Sequence, residues 1–194
     1  MKTKQDKNSI KKELKRKKIE NTNYKWVIQI IILAFTISLA FSFLSETMIP
    51  NVNIVFGLII LISFILIGIL FDMVGVAVQS ADEKPFHSMN SRKVKGADIA
   101  VSLKKNADKV SSFCNDVIGD ICGIISGTTG SIIAIKLATF INLDKFIVTL
   151  LVTALVSALT IGGKAMGKSV AINKSNNILY QFAKFLSHFY KPKK

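Results

Sequence analysis

The chain has 194 residues, half of them hydrophobic, and carries 26 Lys or Arg against 12 Asp or Glu for a formal charge of +14. Strong apolarity and strong charge coexist in one chain only if they are segregated along it. A nucleic-acid surface, the usual reading of such a charge, is excluded because the basic blocks lack interleaved aromatics on which bases stack.

In chain order, residues 1–25 hold ten basic and three acidic side chains and read as a basic cytoplasmic arm, disordered or lying at an interface. The run Trp26 to Leu44 is a first span. No small-residue cleavage site follows Leu44, where the sequence reads SETMIP, so the run is a retained helix and not a signal peptide. Ser45 to Asn53 contains Glu46 and no basic residue, the pattern of an outer connection.

Ile54 to about Ser80 is the second span, and within it Gly68, Asp72, Gly75 and Gln79 recur at i, i+4, i+7 and i+11 on one helical face. Residues 82–109 follow, with seven basic and four acidic side chains, too polar to cross a bilayer. Val94, Ala97, Val101 and Leu103 give this stretch a rough apolar face, which predicts a juxtamembrane helix on the cytoplasmic surface, broken near Pro85 and Gly96. His87 is a lone histidine here, and His188 is no stronger a ligand candidate.

Val110 to about Phe140 is the third span. At helical spacing Ser112, Asn115, Asp116, Gly119, Asp120, Gly123, Ser126 and Gly127 fall on one narrow stripe. An ionised Asp in hydrocarbon costs roughly 3 kcal/mol or more unless paired, protonated or hydrated, so a stripe with two of them points to cation handling. Cys114 and Cys122, eight residues apart on this helix, are too distant for a disulfide and read as packing residues. The SGTTG element (126–130) either unwinds the helix or packs closely. After the neutral outer loop Asn142 to Lys145, the fourth span runs Phe146 to Gly163. Its stripe of Thr153, Ser157, Thr160 and Lys164 is read as packing, with hydroxyls bonded to their own backbone. Residues 164–194 hold seven basic side chains and no acid. The last of them, 176–194, form a basic cytoplasmic tail.

The expected fold is an all-α integral membrane protein of about four transmembrane helices in the cell membrane, with residues 26–175 as the transmembrane domain. Every basic block is placed inside, so both termini are cytoplasmic. Asp72 lies ten residues before Asp82, and Asp116 and Asp120 lie seven and eleven past Lys109, which puts the three carboxylates about 10–16 Å in from one surface. Oxygen ligands without clustered His or Cys select a hard cation, Mg²⁺ above all. Asp72, Asp116 and Asp120 are the expected metal ligands together with Asn115. Ser112, Gly75 and Gly119 line the ion path. Lys136 is expected to snorkel outward and Lys164 to lie near the inner surface. No nucleophile or oxyanion motif accompanies the acids, so an enzyme such as an intramembrane aspartyl hydrolase is not expected.

The stretches LFDMVGVAVQSA (70–81), KGADIAVSLKKNADKVSS (95–112) and GKAMGKSVA (163–171) resemble the motifs of the DUF21 transmembrane domain of the CorB/CorC and cyclin-M (CNNM) proteins. The resemblance covers about residues 54–175 and leaves the first span as an addition. It implies Mg²⁺ or Co²⁺ transport and a homodimer formed through the membrane domain. The family serine falls on Asp72 and the family glutamate on Gly75. In the last motif Gly163 and Lys168 are kept, Lys164 replaces glutamate and Gly167 replaces proline, so Gly163 joins the ion path. The family asparagine after glycine falls on Asp120 after Gly119 with a two-residue shift. The family's nucleotide-sensing CBS domains are expected to be absent. The alternative to a divalent-cation transporter or binding protein is a non-transporting membrane interaction subunit, its acids pairing with a partner's basic residues.

Overall fold

The computed structural model describes residues 24–189, and their side chains from Val27 onward. Residues 1–23 of the expected basic arm and residues 190–194 of the expected tail lie outside the described residues. The chain divides into two compact units, Met1–Ile37 and Ser38–Lys194. The described residues are mostly helical and contain no strand.

Helix α1 (Tyr24–Met48) ends in a short 3-10 turn, Ile49–Asn51. Helix α2 (Ile54–Ser80) starts where Asn53 Oδ1 accepts a hydrogen bond from the backbone N–H of Val55. Two short helices, α3 (Lys84–Ser91) and α4 (Ala97–Lys105), precede α5 (Ala107–Ser112). A π-helical segment, Phe113–Gly119, then leads into α6 (Asp120–Ile141). Asp144 caps α7 (Lys145–Asn173) by accepting from the backbone N–H groups of Phe146 and Ile147. Helix α8 (Ser175–Phe189) closes the described chain. Among the described residues four helices are long and apolar enough to cross a membrane: Val27–Asn51, Ile54–Ser80, Ala107–Ile141 and Lys145–Asn173. The chain is thus compatible with a multi-pass membrane protein.

The expected break of the polar connection falls differently. Pro85 sits in the first turn of α3, where its missing N–H costs nothing, so it starts a helix instead of breaking one. Gly96 does separate α3 from α4. It has φ +84°, and its missing Cβ leaves room for the α8 backbone at Ala183 and Lys184. The SGTTG element stays inside the unbroken α6. Residues 175–189 form a packed helix in place of a simple tail: Leu179 and Ala183 are fully buried with Val78, Ala81, Phe86, Ile99, Ala100 and Val101.

Helices α2, α6 and α7 pack together along their lengths. Toward the end bearing the Ile49–Asn51 turn, the core consists of Ile49, Leu61, Ile65, Ile133 and Val156. There Ser45 and Thr129 share a buried 2.8 Å hydrogen bond. Lys136 donates to the carbonyls of Ile49 and Val52 at 2.8 and 2.6 Å, so its charge goes to the backbone of the turn between α1 and α2. At the opposite end Lys104 donates to the carbonyls of Val78 and Gln79, closing the last turn of α2.

Candidate functional site

The stretches Ile54–Phe71 of α2 and Phe146–Gly163 of α7 are each 18 residues without a charge, about 27 Å at helical rise. Each ends directly on an ionisable side chain, Asp72 in one case and Lys164 in the other. Ile121–Ile135 of α6 is a shorter uncharged run, bounded by Asp120 and Lys136. The three ends meet. Lys164 Nζ lies 3.7 Å from Asp72 Oδ1 and 3.5 Å from Asp120 Oδ1, so one ammonium faces two carboxylates from two other helices.

Small residues bring the helices close enough for this. A Cβ on Gly68, one turn before Asp72, would meet the Cys122 side chain at 3.0 Å, and one on Gly167 would meet Met73 at 2.8 Å. Gly163 similarly admits the Ile69 side chain. Gly119 is the floor of the centre, since a Cβ there would stand 3.3 Å from Lys164 Nζ and 3.7 Å from Asp72 Oδ1.

The centre is graded in exposure. Asp72 and Lys164 keep 17% and 24% of their side-chain surface accessible, whereas Asp120 keeps 68%. The Asp72–Lys164 pair is therefore the shielded half, where attraction is screened least. Asp120 reaches the same ammonium from the open side.

Asp116 is exposed and makes no ion pair among the described residues. Of the expected metal ligands, then, Asp72 and Asp120 come together and Asp116 stays apart. Among the described residues no group of three or more His, Cys, Asp or Glu side chains gathers in metal-holding geometry. The physical reason is the π-helical segment. Its i→i+5 bonding inserts extra turn between Ser112 and Asp120, so a stripe drawn at α-helical spacing does not stay on one face. Beyond it, Ser126 is buried while Gly123 and Gly127 meet open space.

Asn115 takes a different role from its neighbours. Its Nδ2 donates to Ser111 Oγ at 3.3 Å, and its Oδ1 is buried without a conventional donor. That oxygen occupies the volume a Cβ on Gly75 would fill. Asn115 and Gly75 thus form a close crossing of α2 with the π-helical segment, one turn along α2 from Asp72. Ser112, partly buried, immediately precedes that segment. His87 pairs with Glu83 at 2.9 Å on the surface, and Cys114 and Cys122 are free and buried. Thr153 and Thr160 donate to the carbonyls of Thr149 and Val156, as expected of packing hydroxyls.

Sequence reasoning named Lys164 only as a weak ion-pair candidate near the inner surface and did not join it to the two acids. The signal was present: Gly163 and Gly167 flank Lys164, and the uncharged runs of α2 and α7 are equal in length, which sets their charged ends at one level. No protein-family model matches the chain, nor does any curated protein or solved structure. The resemblance to the CorB/CorC and cyclin-M proteins rests on its motifs alone.

Proposed function

We propose that the chain is a multi-pass membrane protein that binds or transports a Mg²⁺-like divalent cation at the Asp72–Lys164–Asp120 centre. The observation carrying this reading is that two carboxylates from different helices converge on one point of positive charge. Lys164 acts there as a tethered cation. It neutralises the acids while no metal is bound and must swing away when one arrives. Two carboxylates suffice for Mg²⁺, which keeps several of its waters. The uncharged runs match a hydrocarbon core about 30 Å thick, so the centre lies at its edge, by the basic face, and not in mid-membrane. Entry from water therefore needs no long polar path. Asn115 and Ser112 serve the fold of the adjacent crossing, and Asp116 guides cations by charge alone.

Competition between lysine and metal makes the test sharp. Lys164→Met raises the local charge from about −1 to −2, so Mg²⁺ should bind at least about tenfold more tightly by titration calorimetry, with a larger thermal shift. Asp72→Asn/Asp120→Asn should abolish both effects. Absence of Mg²⁺ binding in wild type and in Lys164→Met alike would overturn the proposal.

A second reading, the interaction subunit, is favoured by the exposure of both Asp116 and Asp120 on the third apolar helix. It predicts a complex, a homodimer included, that dissociates on native electrophoresis in the Asp116→Asn/Asp120→Asn protein and ignores Mg²⁺.

A further inference from the structure

Helix α8 carries three faces. Leu179 and Ala183 are buried toward α4, Gln181, Lys184 and His188 are exposed, and Ile178, Phe182, Phe185 and Phe189 recur at i, i+4, i+7 and i+11 as an aromatic stripe. The stripe begins against the helices that carry the charged centre. Ile178 packs with Val76, Ala77 and Ala171. One turn later Phe182 meets Phe71 edge to face, ring centroids 6.5 Å apart. Those contacts give α8 a direction. Moving forward along α8 from Ile178 to Phe182 means moving backward along α2 from Ala77 to Phe71. The chain therefore reverses after Asn173 and climbs toward the uncharged run, whose last residue in α2 is Phe71.

Phe185 and Phe189 lie one and two turns farther along this climb. They stack on each other with centroids 5.3 Å apart and remain 63% and 75% exposed. Exposed paired phenylalanines are costly in water and favourable at an acyl boundary. Lys184 and His188 lie on the neighbouring exposed face, off the stripe.

We propose that α8 is a re-entrant interfacial helix whose Phe185 and Phe189 insert into the leaflet on the side of the charged centre. The occupant of the stripe is lipid because the stripe continues the surface of the uncharged run through Phe71. This inference rests on the membrane reading above but not on the cation reading.

The test uses the full chain with its single tryptophan, Trp26, replaced by Phe, reconstituted into phosphatidylcholine and phosphatidylglycerol vesicles with brominated acyl chains. Phe185→Trp and Phe189→Trp should lose emission to the brominated lipid as strongly as Leu155→Trp, a control in the middle of the α7 uncharged run. Gln181→Trp should instead be quenched by aqueous iodide. If Leu155→Trp is quenched by lipid while both α8 reporters answer only to iodide, the stripe faces water and the inference falls alone. If the α8 reporters resist both quenchers, the stripe is covered by protein, such as a second copy, and the inference also falls. If Leu155→Trp escapes the lipid, the membrane reading fails and takes the inference with it.

Discussion

Along α2 two stretches of one helix live in opposite surroundings. From Val55 to Leu70 it exposes Val55, Phe56, Ile59, Ile62, Leu66 and Leu70, while from Gly75 to Val78 four successive residues are buried. A helix apolar and exposed on most sides suits lipid, whereas one buried all round needs protein on every side. The second region has that protein: α4, α8, the end of α7 and the π-helical segment. It is a folded layer made from the most charged part of the described sequence. Local charge marks where the exposed apolar run ends but conceals that a core begins there, because Ala97, Ala100, Ala171 and Ala183 fill that core while most of the surrounding lysines are exposed. The Asp72–Lys164–Asp120 centre sits on the seam, where acids can be held near hydrocarbon yet reached from water.

The largest effect should come from moving charge across that seam. Leu155 and Ile172 are both exposed on α7, on opposite sides of Lys164. Leu155→Arg places a cation midway along the uncharged run and should cost about 3 kcal/mol or more, seen as loss of protein from the membrane fraction. Ile172→Arg should change the thermal midpoint little, within about 0.5 kcal/mol. Equal tolerance at both sites would erase the distinction between the two regions.

Next in size is the crossing beside the centre. Gly75→Ala drives a methyl group into the place of Asn115 Oδ1, and overpacking of this kind costs about 1–3 kcal/mol. Gly75→Ala/Asn115→Ala should recover much of the loss in denaturant unfolding, since the two positions share one volume.

The centre itself should show coupling of about 1–2 kcal/mol, because Asp72 and Lys164 are shielded but not sealed. Lys164→Met leaves Asp72 without its counter-ion, and Asp72→Asn in that background should restore stability. Asp120→Asn, on the open side, should matter less.

The four long apolar helices were legible because hydrocarbon thickness translates directly into residue count, and Ile54–Phe71 and Phe146–Gly163 are long enough to meet it without a charge. Asp72 and Asp120 stood out because ionised groups in apolar runs demand an explanation. Asp116 was grouped with them because spacing arguments assume 3.6 residues per turn, and FCNDVIG (113–119) gives no sequence sign of the π-helical bonding where Asp116 stands apart. The count of about 10–16 Å rests on a related assumption. Lys109 and Asp82 lie on the folded layer, beyond the end of the uncharged runs, so distances counted from them pass through packed protein before reaching those runs. Asn115 reads in sequence as one more oxygen ligand. Only the approach of Gly75 from another helix reveals it as a packing contact.

The smallest effects test what the stripe on the third span is for. At α-helical spacing Gly119, Gly123 and Gly127 look equivalent, but only Gly119 faces the charged centre, while a Cβ on Gly123 or Gly127 meets nothing within 4 Å. Gly123→Ala and Gly127→Ala should be neutral or stabilising by up to about 1 kcal/mol, since alanine is the better helix former and has space. Gly119→Ala should instead crowd Lys164 Nζ and weaken the Asp72–Lys164 coupling measured by the double-mutant cycle. Loss of stability at Gly123 or Gly127 comparable to that at Gly75 would mean that another protein surface packs there. The exposed side of the third span, Asp116 and Asp120 included, would then belong to an assembly, and the interaction reading would gain over the cation reading.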